Sequence, residues 1–221
     1  MMLVNAHGTF AEMSGKGISC LAQAEAMRRG TPSGEITILT DGGPRRVSYS
    51  SPEAAPGTIS ASVDMGAAGP GPEPDRTIDL AAAALPDGAE GALALQPARQ
   101  ATYDLGNPHL VLLVEDPETV DVVAAGSTHE AAYDGGMNVH FVAPATDAPD
   151  TMVMRVWERG AGVTEACGTG AAAVARAAHD WGLTGPRVTV RMPGGDVAVD
   201  VGAELVLHGP AVFVAGIEVP A

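Results

Sequence analysis

Residues 166–181 read ACGTGAAAVARAAHDW. A cysteine, Cys167, is followed by Gly168-Thr169-Gly170 and then by an alanine-rich run with Ala171, Val174, Ala175 and Ala178 on one helical face. The run stops at Gly182, so the spacing predicts a helix over 168–181 that starts directly behind the thiol. A second stretch has the same form. Ser14-Gly15-Lys16-Gly17 precedes Ile18, Leu21, Ala22 and Ala26 at helical spacing, and Arg28-Arg29-Gly30 ends it. The surroundings also match. Each turn-helix unit follows a strand-like piece and precedes a hairpin, over 3–50 and again over 152–201. The two copies are read as an internal duplication.

The first hairpin is Glu35–Thr40 and Arg46–Ser50 around Asp41-Gly42-Gly43-Pro44; the second is Arg187–Arg191 and Asp196–Val201 around Pro193-Gly194-Gly195. Further strands are expected at Thr58–Val63, Ala101–Glu115, Met137–Val142, Met152–Trp157, Glu204–Leu207 and Ala211–Val219, with short helices at Pro117–Ala125 and Thr128–Tyr133. Residues 65–76 are rich in Gly and Pro and are the expected linker. The division is an N-terminal domain over 1–66, completed by 209–221, and a C-terminal domain over 67–208.

The chain has 221 residues, of which 46% are hydrophobic, which suits a packed core. Its formal charge is −15, so nucleic acid and anionic membranes are poor partners. Of the 12 basic residues only Lys16 is a lysine, and its Gly-rich context does not resemble a pyridoxal phosphate Schiff-base site. Two cysteines make neither a disulfide framework nor a zinc site, and no secretory signal or membrane span is read. A cytoplasmic protein is the default, with a small molecule as partner; a homodimer is left open. Cys20, inside the first helix, reads as a core thiol.

A helix start offers unpaired N–H groups and partial positive charge, so it holds anions such as carboxylates. The same field is expected to lower the pKa of Cys167 toward a reactive thiolate. Two such starts facing each other can hold one carboxylate, with Ser14 and Cys167 on opposite faces of the adjoining α-carbon. That is the geometry of two-base proton exchange. The plainer alternative is an N-cap serine and a buried small residue.

The segment from Trp157-Glu158-Arg159-Gly160 through Thr164-Glu165-Ala166-Cys167-Gly168-Thr169-Gly170 closely resembles a signature of diaminopimelate epimerases. Gly106-Asn107-Pro108-His109 resembles their GNPH motif. Asn5-Ala6-His7-Gly8-Thr9 and Ala11-Glu12-Met13-Ser14-Gly15-Lys16-Gly17-Ile18 are similar to their first active-site segment. Gly136-Met137-Asn138-Val139, Met192-Pro193-Gly194-Gly195 and Gly209-Pro210-Ala211 follow in order. The resemblance implies an α+β fold of two pseudo-symmetric domains, each a curved, mostly antiparallel sheet wrapped around a central helix. It implies a cofactor-independent amino-acid epimerase of lysine and cell-wall biosynthesis, needing no metal, with Cys167 and Ser14 at the acid/base positions. His109 and Glu158 match residues close to the catalytic thiols. Gly15-Lys16 and Gly168-Thr169 match the cradle of the α-carboxylate. Asn5, Asn107, Asn138, Glu158 and Arg159 match residues that meet the rest of the substrate.

The departures cluster in the first half. Ser14 stands where the family has its first catalytic cysteine, Lys16 for Asn, Ser19 for Arg, His7 for Asp and Val163 for Glu. Lys16 either adds positive charge beside the α-carboxylate or points to solvent. The family's opening segment has no counterpart, from which an unpaired sheet edge is expected. Two other readings stay open: an isomerase of another substrate on the same fold, and a paralogue that binds without turnover.

Overall fold

The computed structural model describes residues 1–4, 10–11, 13–78 and 96–216. Two short strands, β1 (Leu3–Val4) and β2 (Phe10–Ala11), pair antiparallel ahead of helix α1 (Gly15–Arg29). There follow β3 (Ser33–Thr40), β4 (Gly43–Ser50), β5 (Thr58–Gly66) and β6 (Gly69–Pro70). Next come β7 (Arg99–Asp104), β8 (Pro108–Leu113) and helix α2 (Val122–Glu130). Strands β9 (Asn138–Pro144), β10 (Thr151–Glu158) and β11 (Gly162–Thr164) lead into helix α3 (Gly168–Asp180). Strands β12 (Arg187–Met192), β13 (Gly195–Val201) and β14 (Leu205–Val212) complete the described order.

Among the described residues, twelve strands form one sheet in the order β3-β4-β5-β14-β13-β12-β10-β9-β8-β7-β6, with β11 attached to β10. All neighbours are antiparallel except β10–β12 and β8–β9. The fold is therefore α+β, with α1 packed on the β3–β5 and β14 side and α3 on the β8–β14 side. Strand β14 joins the halves by pairing with both β13 and β5. The Gly/Pro-rich stretch is partly sheet, because Gly69–Pro70 pairs with Tyr103 and Asp104 as β6. Strand β3 has only β4 as a strand neighbour among the described residues.

The two central helices bury different amounts of themselves. Along α1 the covered stripe is Ile18, Ala22 and Ala26. Cys20 lies two residues from both Ile18 and Ala22, which turns it to the opposite side of the helix, and it is exposed rather than a core thiol. Helix α3 is covered nearly all round, because Ala171–Ala173, Ala175, Ala177 and Ala178 have side chains short enough to bring its backbone close to the sheet. A main core unites both helices with the sheet, and α2 closes a smaller core on the outer face with Leu110, Leu112, Val139 and Phe141. Alternation along β9 then turns His140 and Val142 toward α3, opposite to Val139 and Phe141.

Three element predictions are corrected. The stretch Ala101–Glu115, expected as a strand, holds parts of two, β7 and β8, which pair antiparallel because the chain turns between them at Gly106, with φ +91°. One helix, α2, replaces the two short ones expected between 117 and 133, with a single 3₁₀ turn at Pro117–Thr119 before it. Strand β14 runs straight through Gly209-Pro210, where two strands were expected, and residues 213–216 form no strand.

Candidate active site

Ser14 and Cys167 cap α1 and α3 in the same way. Ser14 has φ −142° and ψ 112°, and its Oγ accepts from the Gly17 N–H at 3.0 Å. Cys167 has φ −131° and ψ 116°, and its Sγ accepts from the Gly170 N–H at 3.4 Å. The first backbone bonds also correspond, Ile18 N–H to Ser14 O and Ala171 N–H to Cys167 O, both 2.9 Å. The expected duplication thus extends to the dihedral angles.

The two helix starts touch. A Cβ on Gly168 would lie 3.2 Å from Gly15 Cα and 3.3 Å from Lys16 N. Leu207 of β14 packs beneath both glycines: its Cδ2 would be 2.9 Å from a Cβ on Gly15 and 3.2 Å from one on Gly168. Glycine at both places lets the N–H groups of the two helices converge on one spot. The Lys16 side chain is exposed at this junction.

Cys167 itself is buried, and its environment corrects the expectation of a lowered pKa. Burial pushes the thiol up to about 12, the Glu158 carboxylate adds to the rise, and donors from Thr169 and Gly170 only partly oppose it. Desolvation and a neighbouring negative charge outweigh these two hydrogen bonds because both act at short range on a dry sulfur. The resident state is the neutral thiol, a proton donor. Glu158, at the end of β10, is fixed by an O–H donated from Thr164 across the β10–β11 turn.

From Cys167 a line of polar groups runs into the C-terminal half. Thr169 Oγ1 lies 3.5 Å from Cys167 Sγ, and Asn107 Nδ2 donates to Thr169 Oγ1 at 3.4 Å. Asn107 Oδ1 lies 3.0 Å from His109 Nε2, and His109 Nδ1 lies 2.9 Å from His140 Nε2. Both imidazoles are completely buried and stack at 5.1 Å between ring centroids. Burial holds His109 well below its ordinary pKa, helped by His140 and Arg159, and lowers His140 to about 3.

Asn138 ties this group to the Glu158-Arg159 corner. Its Nδ2 donates to Pro108 O at 2.8 Å and its Oδ1 accepts from the Arg159 N–H at 3.0 Å. Arg159 also donates through Nη1 to Gly135 O at 3.3 Å, and its Cδ would be 2.7 Å from a Cβ on Gly136, whose φ is +73°. The structure therefore gathers Asn107, His109, Asn138, Glu158, Arg159, Thr169 and Cys167 into one connected group. Gly15, Lys16 and Ser14 adjoin it through the helix contact. Asn5 and His7 lie outside the described residues. His140 was not singled out in the sequence. The signal available was a histidine inside the apolar stretch Val139–Val142, which a buried strand accepts only with a partner. No group of three or more His, Cys, Asp or Glu side chains among the described residues is placed to hold a metal ion. No described helix is long and apolar enough to cross a membrane.

The sheet with its central helices is a class of fold shared with solved structures. One is a hydroxyproline epimerase from Agrobacterium vitis (TM-score 0.65, 14% identity, 93% of this chain and 66% of that one). Another is a PhzF-family phenazine biosynthesis protein from Bacillus anthracis (TM-score 0.66, 14% identity, 97% of this chain and 78% of that one). Within that class the sequence is more specific. Residues 101–214 match the family described as diaminopimelate epimerase. A diaminopimelate epimerase of Cyanothece sp. is 33% identical over 228 residues, covering 96% of this chain and 75% of that protein. One of Desulfitobacterium hafniense is 44% identical over 114 residues, covering 50% of this chain and 40% of that protein. The chain belongs to the diaminopimelate epimerase family. It aligns with about two fifths of the Desulfitobacterium relative and three quarters of the cyanobacterial one.

Proposed function

We propose that the chain inverts one α-carbon of diaminopimelate, interconverting the LL and meso forms without a cofactor, with Cys167 and Ser14 as the acid/base pair. The observation that carries this reading is the matched capping of two helix starts in contact at Gly15 and Gly168. A substrate α-carboxylate placed over that contact receives N–H groups from both helices, and Gly15-Lys16 and Gly168-Thr169 line its seat. The same donors stabilise charge that develops on the carboxylate as the α-proton leaves.

The proton passes from the α-carbon to the group on one face, while a proton from the group on the other face reaches the same carbon. Configuration inverts and no electron leaves the substrate. Cys167, resident as a neutral thiol, is suited to deliver the proton. Ser14 then takes the opposite face, accepting the α-proton as its own hydroxyl proton passes to water at the half-exposed helix start, which balances the thiolate left at Cys167. An alcohol is a weak base, so the proton transfer on the Ser14 face is expected to be the slower of the two. Thr169 and Gly170 donate to the sulfur and support its thiolate in the reverse direction. Asn5, Asn107, Asn138, Glu158 and Arg159 are assigned to the rest of the substrate. A second ammonium suits the Glu158 carboxylate, and a second carboxylate suits the forked Arg159 donor. The protein is proposed to act in the cytoplasm, in lysine and cell-wall synthesis.

The test is proton exchange. Incubating the protein with LL- or meso-diaminopimelate in deuterium oxide should replace the α-proton and yield the other isomer. Cys167→Ala should abolish both signals. Unchanged exchange in Cys167→Ala would overturn the mechanism. Exchange of another amino acid, with none of diaminopimelate, would favour a different isomerase, a reading that Ser14 and Lys16 motivate. Thermal stabilisation by diaminopimelate without exchange would point to a binding protein.

A further inference from the structure

The polar line behind Cys167 has a direction, and its hydrogen-bond partners fix it. Asn107 Nδ2 is bound to Thr169, so Asn107 presents its carbonyl Oδ1 to His109 Nε2 at 3.0 Å. A carbonyl oxygen only accepts, so His109 Nε2 carries the hydrogen. Neutral His109 then has a bare Nδ1 that must accept, and the atom it faces at 2.9 Å is His140 Nε2. His140 Nε2 is therefore the N–H, which leaves His140 Nδ1 bare. That nitrogen is buried and has no hydrogen-bond partner.

The partnerless atom decides between the two directions. Were the line reversed, His140 Nδ1 would be an N–H with no acceptor inside a dry core. An orphaned buried donor is the more costly and rarer arrangement, whereas an acceptor without a donor is tolerated more often. With the forward direction, each N–H from His140 onward finds an acceptor. The Thr169 hydroxyl oxygen accepts from Asn107, which frees its hydrogen to point at Cys167 Sγ at 3.5 Å.

Packing also places His140. Its ring occupies space made by Gly170, where a Cβ would stand 2.3 Å from His140 Cε1. Gly170 is also the residue whose N–H meets the sulfur. The glycine thus serves the thiol directly and, by its missing side chain, admits the histidine that begins the line.

We propose that His140 is a positioning residue for Cys167. Its Nε2–H fixes the tautomer of His109, and through Asn107 and Thr169 it orients the hydroxyl that donates to the sulfur. The proposal rests on the reading of Cys167 as the proton-transfer group. His140 touches neither substrate nor the reacting atoms. Its effect is to keep the donor at the sulfur pointing one way, which favours the thiolate when Cys167 must act as base.

The first test uses the unaltered protein. Nitrogen NMR of isotope-labelled histidine should show both His109 and His140 as neutral Nε2–H tautomers. An Nδ1–H tautomer at either residue reverses the line and overturns the proposal, whether or not the protein epimerises anything.

The second test uses variants. His140→Phe removes the donor, and His140→Gln restores an N–H where Nε2 stood, because the glutamine amide reaches as far as the distal ring nitrogen. His140→Phe should lower kcat for exchange by about tenfold with KM nearly unchanged, and His140→Gln should recover most of that loss. His129→Phe is the control for packing. His129 is also buried, on α2, with no partner for either ring nitrogen, and lies outside the line. It should leave kcat unchanged. Equal losses in His140→Phe and His129→Phe, or a folded His140→Gln no better than His140→Phe, would overturn the proposal. If the unaltered protein exchanges no substrate at all, the epimerase reading fails, and the tautomers still decide the line.

Discussion

Gly168 lies so close to Gly15 that a Cβ on it would sit 3.2 Å from Gly15 Cα and 3.3 Å from Lys16 N. Both obstacles are backbone atoms of the facing helix start. An added methyl must therefore push α3 away from α1. A Cβ on Gly15 meets mainly side-chain ends, Leu207 Cδ2 at 2.9 Å and Met65 Cε at 3.3 Å, which can turn aside. Gly168→Ala is expected to destabilise by about 1–3 kcal/mol and to reduce exchange by more than tenfold. Gly15→Ala should cost less on both counts. Thermal melts with exchange rates on the same samples check the order.

Gly126→Ala tests the support of Glu158. Gly126 sits in mid-α2, and a Cβ there would stand 2.4 Å from Trp157 Cβ. Trp157 precedes Glu158 on β10 and donates through Nε1 to Glu130 Oε2 at 2.5 Å. The methyl must drive α2 off β10 or rotate the indole. A loss of about 1–3 kcal/mol is expected in chemical denaturation, with a weaker Trp157–Glu130 bond readable as altered indole fluorescence.

These same residues explain what the sequence could and could not say. The starts of α1 and α3 were legible because cap, glycines and apolar spacing agree locally, and the hairpin turns because Gly43 and Gly195 supply positive φ of 96° and 117°. Helix α2 was split at Gly126 because a glycine mid-pattern reads as a break; the tryptophan that requires it comes from a distant strand. Strand β14 was split at Gly209-Pro210 for a similar reason. Pairing with β13 ends at His208, so Pro210 has an open flank and the ladder tolerates it against Ser60 of β5. Cys20 was misplaced because its helix carries apolar residues on more than one side. Of the candidate site, the motifs named residues that the fold brings together, with Asn5 outside the described residues, and the raised pKa of Cys167 was hidden because burial is a tertiary property. His140 was hidden because its partner His109 comes from the neighbouring parallel strand.

Acid should unfold the protein through its interior histidines. Burial lowers His129 to about 4 and His140 to about 3, and holds His109 well below its ordinary value. Above about pH 6.5 an imidazole is neutral in both folded and unfolded chains, so it adds no pH dependence. Below that, the unfolded chain binds protons that the folded chain refuses. Stability then falls by about 1.4 kcal/mol per pH unit for each such histidine, and for His129 the fall continues to about pH 4. Denaturant titrations at several pH values should show His129→Phe with a shallower slope than the unaltered protein over that window. Parallel slopes would mean that His129 is protonated in the folded state.

Ser14→Cys is the most direct test of how far this chain has departed from its family. The position is already built for the side chain: Ser14 Oγ accepts from Gly17 N–H at 3.0 Å, just as Cys167 Sγ accepts from Gly170 N–H at 3.4 Å. A thiol in place of the hydroxyl keeps the cap and changes chiefly the acidity, from an alcohol to a group with an ordinary pKa of about 8.5. The helix start and the half-exposed location avoid the full desolvation that raises Cys167. The variant should epimerise at least tenfold faster, and by the same factor in kcat/KM in both directions, because their ratio is fixed by the equilibrium between the isomers. Ser14→Ala separates the two functions of the residue. It loses the cap, worth about 1 kcal/mol, and the base together. Equal exchange by Ser14→Ala and the unaltered chain would show that the hydroxyl carries no proton. A faster Ser14→Cys beside it would then mark position 14 as a catalytic place whose present occupant does not use it.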